Sequence, residues 1–196
     1  MNIVQMRRGM GEGLNYPYDH KVEYIASPSA GYINLPIAQN TIYSYDVEFL
    51  ITATGRTVFS GLQSHVSWTT MQIYGTLFNY GGVSDKGNVN VKVHSYTAAD
   101  RSVCVQYDYG NGSTTYAAKD TSSSPYTTST ATMQVGVSGQ LGTRIYSLSF
   151  GDANGVKLFD AYPVRKDGKG YLYDKVSKQL YGSVTANPFT YGGDID

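Results

Sequence analysis

The sequence predicts an all-β fold, a sandwich or a barrel of antiparallel strands, and three observations lead to it. Short runs of alternating apolar and polar residues recur along the chain, and this period of two is typical of half-buried strands. Turn-forming residues separate the runs, and no segment keeps a helical period over three turns. The composition agrees, since 196 residues include 22 Gly and 19 Tyr, while only 15% are charged, against about 25% in typical domains. This length suffices for one domain with a substantial core.

The run 43–51 has the clearest alternation. Tyr45, Val47 and Phe49 share one face, while Asp46 and Glu48 share the other. Such a strand buries its first face and exposes its second. Further strands are predicted at 22–25, 31–35, 56–62, 68–78, 88–94, 103–109, 114–118 and 132–137. Pro36 is expected to limit ladder bonding, and Gly75 to mark a bulge inside the run 68–78.

The stretch 144–182 is the most regular part of the chain. It contains three strand-like runs, 144–150, 156–165 and 171–180, separated by Gly-rich turns at 152–155 and 166–170. Both turns are expected to need positive φ. Arg165 and Asp174 are expected to form an ion pair that fixes the last hairpin, and Tyr171, Tyr173 and Tyr181 to pack it.

Charge and cysteine usage exclude several classes of protein. The 15 basic and 15 acidic residues cancel, and no basic stripe marks a nucleic-acid partner. The single Cys104 excludes an intrachain disulfide and a cysteine zinc site, and it is interpreted as an ordinary strand residue. No apolar run reaches the roughly 18 residues that would predict a membrane helix.

Residues 1–20 are interpreted as an N-terminal arm or linker, and residues 21–196 as the β-domain. Tyr16 and Tyr18 are expected to pack the arm on a neighbouring subunit. Arg7 and Arg8 have no apolar stretch behind them, so neither a secretory nor a twin-arginine signal is predicted. The compartment stays open: retention in the cytoplasm, export by a route that needs no signal, and synthesis in the cytoplasm followed by assembly into a phage particle would each fit.

Both ends of the chain carry motifs of a known family. These are Val22-Glu23-Tyr24-Ile25, Gly31-Tyr32-Ile33-Asn34, Arg144-Ile145-Tyr146-Ser147, Asp160-Ala161-Tyr162-Pro163-Val164-Arg165, Gly170-Tyr171-Leu172-Tyr173-Asp174-Lys175-Val176-Ser177 and Leu180-Tyr181-Gly182. Over about residues 21–193 the chain resembles concanavalin A-like (LamG or laminarinase-like) jelly-roll domains, which are common in prophage and gut-bacterial proteins of unassigned role. The resemblance implies a jelly-roll sandwich of two antiparallel sheets with adjacent first and last strands. It implies carbohydrates, or subunits of a phage particle or cell surface, as partners.

Glycosidases of this family carry a strand with two or three alternating carboxylates. The nearest match is Asp46-Val47-Glu48, whose carboxylates share a face with Cα atoms about 7 Å apart. Two such groups are the minimum for glycoside hydrolysis. The favoured function is a non-catalytic module that binds the partners implied by the resemblance. Because Ser44 and Leu50 stand where further carboxylates are expected, a hydrolase using Asp46 and Glu48 is kept only as an alternative. A purely structural spacer is a further alternative.

A lectin-like site needs a flat aromatic surface and planar polar side chains. The candidate ligand-binding residues are Trp68, Tyr74, Asn79, Tyr80, Asn90, His94 and Asp108. Asn88, Lys92 and Gln106 are expected to extend the polar strand faces around them. Such a site would be shallow and weak, so avidity from a homo-oligomer would be needed.

No metal site or cofactor is predicted. His20, His65 and His94 are not spaced as metal ligands. The segment 85–90, Asp-Lys-Gly-Asn-Val-Asn, places oxygen ligands at alternate positions. It remains a weak calcium candidate, because a tight site needs more acidic residues.

Overall fold

The computed structural model describes residues 16–52, 56–61, 71–74, 77–80, 83–86, 90–99, 102–108, 113–119, 130–136 and 143–195. The first strands are β1 (His20–Lys21), β2 (Ile25–Ala26), β3 (Ile33–Ala38), β4 (Ser44–Ile51), β5 (Arg56–Gly61), β6 (Met71–Tyr74), β7 (Leu77–Tyr80) and β8 (Val83–Lys86). They are followed by β9 (Lys92–Thr97), β10 (Ser102–Asp108), β11 (Ser113–Lys119), β12 (Thr132–Val135), β13 (Thr143–Gly151), β14 (Lys157–Lys166), β15 (Lys169–Asp174), β16 (Gln179–Tyr181) and β17 (Thr190–Tyr191). A 3₁₀ turn at Gln39–Thr41 joins β3 to β4.

The strands form two antiparallel sheets. The larger sheet has the order β11-β10-β9-β4-β13-β14-β15-β16, with β1, β2 and β17 paired at its side. The smaller sheet has the order β3-β12-β5-β6-β7-β8. The prediction of an all-β fold with two antiparallel sheets is therefore confirmed. None of the described residues forms a helix that is long and apolar enough to cross a bilayer.

One hydrophobic core contains residues from both sheets. The larger sheet contributes Val47, Phe49, Val93, Val105, Tyr107, Ile145 and Phe150, and the smaller sheet contributes Ile33, Leu35, Met133 and Val135. On β4 the buried set is Tyr45, Val47 and Phe49, as the alternation predicts. Burial of this face fixes which side chains of β4 point away from the core.

Two predicted strands are in fact hairpins. The run 68–78 contains β6 and β7, which pair antiparallel with Tyr74 opposite Leu77. The predicted continuous strand therefore contains two antiparallel strands, and Gly75, where a bulge was predicted, lies outside the described residues. The run 171–180 likewise divides into β15 and β16, with Lys178 at φ 61° between them. In the run 68–78 the apolar alternation continues from Met71 and Ile73 to Leu77, so periodicity could not detect the reversal. In the run 171–180 the mostly polar residues 174–179 interrupt the alternation.

The predicted strand 88–94 begins later than expected. β9 starts at Lys92, because Asn90 adopts a left-handed conformation with φ 60°. Asn tolerates this region better than most residues. Pro36 lies on β3, an edge strand that pairs only with β12, which is where proline is tolerated in a sheet.

The turn predicted at 166–170 is a tight hairpin between β14 and β15. Asp167 and Gly168 have φ values of 48° and 71°, the pattern of a two-residue turn that matches strand twist. Gly155, in the turn before β14, has φ 76°. The sequence therefore located both sites of positive φ.

The N- and C-terminal parts of the domain lie side by side. β2 pairs with β13 on one side and with β17 on the other. β1 pairs with β14, and Val22 bridges to Asp194. These contacts agree with the expectation that the first and last strands are neighbours.

The predicted ion pair between Arg165 and Asp174 is wrong. Arg165 instead donates from Nε and Nη2 to the two carboxylate oxygens of Asp194, at 2.7 and 2.9 Å. This bidentate pair fastens the C-terminal end to β14. Asp174 instead accepts hydrogen bonds from backbone N–H groups, including that of Asp160 at 2.9 Å. Sequence proximity suggested the wrong partner because Asp194 reaches Arg165 only through the pairing of the chain ends.

The Arg165–Asp194 pair predicts a pH-dependent contribution to stability. The hydrogen bond from Arg165 lowers the pKa of Asp194 below its ordinary value. The pair therefore contributes stability above the pKa of Asp194 in the unfolded chain, and this contribution is lost as pH falls through the lower folded-state pKa. We expect Asp194→Asn to lower the thermal midpoint at neutral pH, and the difference from wild type to shrink in acid.

The control for this prediction is a double-variant cycle with Arg165→Gln. Because both substitutions remove the same contact, the double variant should be little less stable than Arg165→Gln alone. Additive losses, or a difference that persists unchanged in acid, would contradict the assignment.

The N-terminal tyrosines pack against strands of their own chain. Tyr18 and Tyr162 share a hydrogen bond of 2.8 Å between their hydroxyls. The rings of Tyr16 and Tyr18 both lie against Tyr173. Burial and the bond to Tyr162 raise the pKa of Tyr18, so this tyrosine remains protonated at physiological pH.

Candidate functional site

The outward face of the larger sheet carries aligned polar side chains on three neighbouring strands. Glu48 on β4 stands opposite His94 on β9, and His94 stands opposite Gln106 on β10. In the next row Lys92 stands opposite Asp108. Neighbours in such rows lie within contact distance across the sheet. They point outward because Val47, Val93 and Val105, one residue away on each strand, are fully buried.

Two ion pairs cross between β4 and β9. Lys92 Nζ lies 2.8 Å from Glu48 Oε2, and His94 Nε2 lies 3.0 Å from Asp46 Oδ1. The four side chains are between 34% and 52% exposed, so solvent and a ligand can reach them. Each pair holds one strand's polar groups in position against the next.

These strands enclose a small open cavity, which we call the polar cleft. It has a volume of about 190 Å³, and its lining residues are Glu48, Lys92, His94, Gln106 and Asp108. Every lining side chain can donate or accept hydrogen bonds. The cleft therefore suits a small ligand rich in hydroxyl groups better than an apolar one.

A flat ring surface adjoins the cleft. His94 and Tyr96 stack with ring centroids 4.8 Å apart and planes 28° from parallel. A hydrogen bond with Cys104, on the adjacent strand, raises the pKa of Tyr96. Cys104 itself is buried, consistent with its interpretation as a strand residue.

The sequence-predicted binding residues do not form one group. His94 and Asp108 line the polar cleft, and Asn90 is exposed in the turn before β9. Tyr74, Asn79 and Tyr80 lie instead on β6 and β7 of the smaller sheet. Trp68 and Asn88 lie outside the described residues. The described candidate residues are thus divided between two sheets. They were chosen by side-chain type, which carries no information on strand order.

Asp46 and Glu48 share the outward face of β4, as the alternation predicts. His94 binds the carboxylate of Asp46, and Lys92 binds the carboxylate of Glu48. Two-carboxylate hydrolysis requires one group to donate a proton to the leaving oxygen. In the observed arrangement Glu48 is held by the Lys92 ammonium and Asp46 by the His94 ring nitrogen.

Three residues near the cleft were not predicted as site residues: Tyr24, Arg144 and Tyr146. Lys92 Nζ lies 4.5 Å from the ring centroid of Tyr146 on β13, and the guanidinium of Arg144 lies 4.6 Å from that of Tyr24. The rings of Tyr24 and Tyr146 are 5.6 Å apart at an angle of 63°. Arg144 and Tyr146 belong to the stretch 144–182, for which the sequence predicted strands and packing but no binding residue. Only the position of β13 beside β4 reveals the contact of Tyr146 with Lys92 of the cleft.

Only part of the calcium candidate, the segment 85–90, lies among the described residues. Asp85 lies on β8, where it pairs with Phe78 of β7, and residues 87–89 lie outside the described part of the chain. Among the residues that the structure describes, no group of three His, Cys, Asp or Glu side chains is placed to hold a metal ion.

No protein-family model, no curated protein and no solved structure matches this chain. The functional argument therefore depends on the geometry of the outward face.

Proposed function

We propose that the chain is a non-catalytic, lectin-like module of the concanavalin A-like type that binds carbohydrate in the polar cleft. The observation that carries this proposal is the convergence of five hydrogen-bonding side chains, from three adjacent strands, on one open cavity of about 190 Å³. A sugar presents several hydroxyl groups on a small ring, and such a ligand can satisfy many of these groups at once.

The lining side chains can pair with a sugar hydroxyl group both when it donates and when it accepts a hydrogen bond. Glu48 and Asp108 accept hydrogen bonds, Lys92 donates them, and the amide of Gln106 does both. The stacked rings of His94 and Tyr96 offer an apolar surface to the carbon-bound hydrogens of a sugar. The ion pairs that Lys92 and His94 make with β4 hold these groups in place before a ligand arrives.

The size of the cleft predicts weak binding at each site. Pockets for drug-sized ligands usually measure about 300–1,000 Å³, and this cleft is smaller and open. Useful affinity would come from several copies displayed together, because linked sites bind by avidity. Display on a phage particle or a cell surface, as the family resemblance implies, would supply that arrangement.

A glycan array probed with a multivalent form of the protein tests this proposal. We expect Gln106→Ala to weaken binding by about tenfold, the loss of one or two hydrogen bonds. The matched control is Gln134→Ala, which removes the same side chain from β12 of the smaller sheet, where it donates to Asn34 at 3.0 Å. This control should bind as well as the wild type.

Other outcomes would replace the proposal. Silence of the wild type across a broad array would favour a purely structural spacer. Binding lost in Trp68→Ala but kept in Gln106→Ala would move the site away from the cleft. Release of reducing ends from β-glucans, abolished in Glu48→Gln, would favour the hydrolase alternative.

A further inference from the structure

The outward face continues beyond the polar cleft across β13 to β2. Lys92 belongs to both parts, since it binds Glu48 in the cleft and lies 4.5 Å from the Tyr146 ring. From Tyr146 the contacts continue to Tyr24 at 5.6 Å and from Tyr24 to Arg144 at 4.6 Å. The cleft and this aromatic group form one continuous surface.

The surface runs across the strands rather than along them. It starts on β10 and crosses β9, β4 and β13 to β2, which are successive neighbours. Four inter-strand spacings correspond to about 19 Å. This distance greatly exceeds one sugar ring and matches a short oligosaccharide.

We propose that Tyr24, Arg144 and Tyr146 form a second subsite, continuous with the polar cleft, so that the face binds a chain of neutral sugars. This inference rests on the proposed carbohydrate-binding function and specifies its ligand class. The cleft would hold one sugar by hydrogen bonds, and the aromatic subsite would support the following sugars on ring surfaces.

The charges of the face favour a neutral chain. Asp46, Glu48 and Asp108 provide three carboxylates, against the two permanent cations of Lys92 and Arg144. Lys92 is already bound to Glu48, and His94 to Asp46. A uronic-acid chain would meet the carboxylates without an uncommitted cation in the cleft, and like charges repel.

The test compares neutral oligosaccharides of increasing length, from glucose to cellohexaose and laminarihexaose and through equivalent mannan, xylan and galactan series, on the same array. We expect the wild-type signal to rise with length. Tyr146→Ala should weaken binding of the longest ligands by about tenfold, the order of one aromatic contact, and weaken binding of the shortest ones far less. Tyr146→Phe keeps the ring and should retain length dependence, while Gln106→Ala should weaken every length.

The outcomes separate the two proposals. Equal binding of short and long ligands, or no effect of Tyr146→Ala on any length, would overturn the second subsite and leave the cleft intact. Stronger binding of uronic-acid oligomers than of neutral ones would overturn the ligand class. Failure to bind any sugar would overturn both proposals. Thermal unfolding of each variant confirms that a lost signal reflects binding rather than loss of fold.

Discussion

Replacing Asp174 with alanine is expected to destabilise the domain by about 3 kcal/mol, because it removes a buried carboxylate that organises three backbone groups. Asp174 is only 1% exposed. Its Oδ1 accepts the N–H groups of Asp160 at 2.9 Å and Val176 at 3.1 Å, and its Oδ2 accepts that of Ser177 at 2.9 Å. The side chain thereby joins β14 to the turn between β15 and β16.

The cost arises from the donors that the substitution leaves behind. Hydrogen bonds to a charged acceptor contribute about 1.5–3 kcal/mol, and an unsatisfied buried donor retains its desolvation penalty. In a domain of this size, about 3 kcal/mol corresponds to a fall of roughly 6–12 °C in the thermal midpoint. Calorimetry or circular dichroism at neutral pH measures it directly.

Asp152→Ala is the matched control for this prediction. Asp152 makes the same kind of bond, with Oδ1 accepting from Asn154 and Val156 at 2.8 Å each, but in an exposed turn. Water can replace these bonds, so we expect a loss of only about 0.5–1 kcal/mol. Equal losses in the two variants would show that burial of Asp174 contributes little to the stability of the hairpin.

The second large effect is expected at Gly170, at the start of the same hairpin. An added Cβ would lie 2.8 Å from Thr190 O, 2.9 Å from Ile25 Cγ2 and 3.1 Å from Phe189 O. Two of these atoms belong to backbone carbonyls of the segment that pairs with β2, so they can move only if β17 moves. We expect Gly170→Ala to cost about 2–3 kcal/mol, the upper range for overpacking.

Gly168→Ala separates packing from backbone conformation. Gly168 has φ 71° and no atom within 4 Å of an added Cβ, so its substitution costs only the left-handed conformation, about 1 kcal/mol. Thermal unfolding of both variants should rank Gly170→Ala as the less stable. The reverse order would indicate that the chain ends yield easily and that the turn conformation dominates.

The strands could be predicted from sequence because their signals are local. Alternation identified β4 and assigned Asp46 and Glu48 to its outward face, and the glycines near 155 and 168 located turns with positive φ. Alternation failed where it continued through a turn, as between β6 and β7. A period of two indicates which face of the sheet a residue occupies. It does not indicate whether the chain continues or reverses direction.

The site was predictable only in part, for the same reason. His94 and Asp108 were recognised as polar strand residues, and they do line the cleft. Tyr74, Asn79 and Tyr80 satisfied the same criterion and lie on the other sheet. Tyr146 was not among the predicted site residues, although it contacts Lys92 more than fifty residues away in sequence.

By itself, the sequence determined an all-β chain, the buried face of each clear strand and the positions of the two tight turns around Gly155 and Gly168. The tertiary structure alone decided that β4 lies between β9 and β13, and that Arg165 binds Asp194 rather than Asp174. Strand order and register are set by burial of the whole core, and a slip of one residue would turn every polar group inward. A site built across strands therefore exists only once all of them have packed.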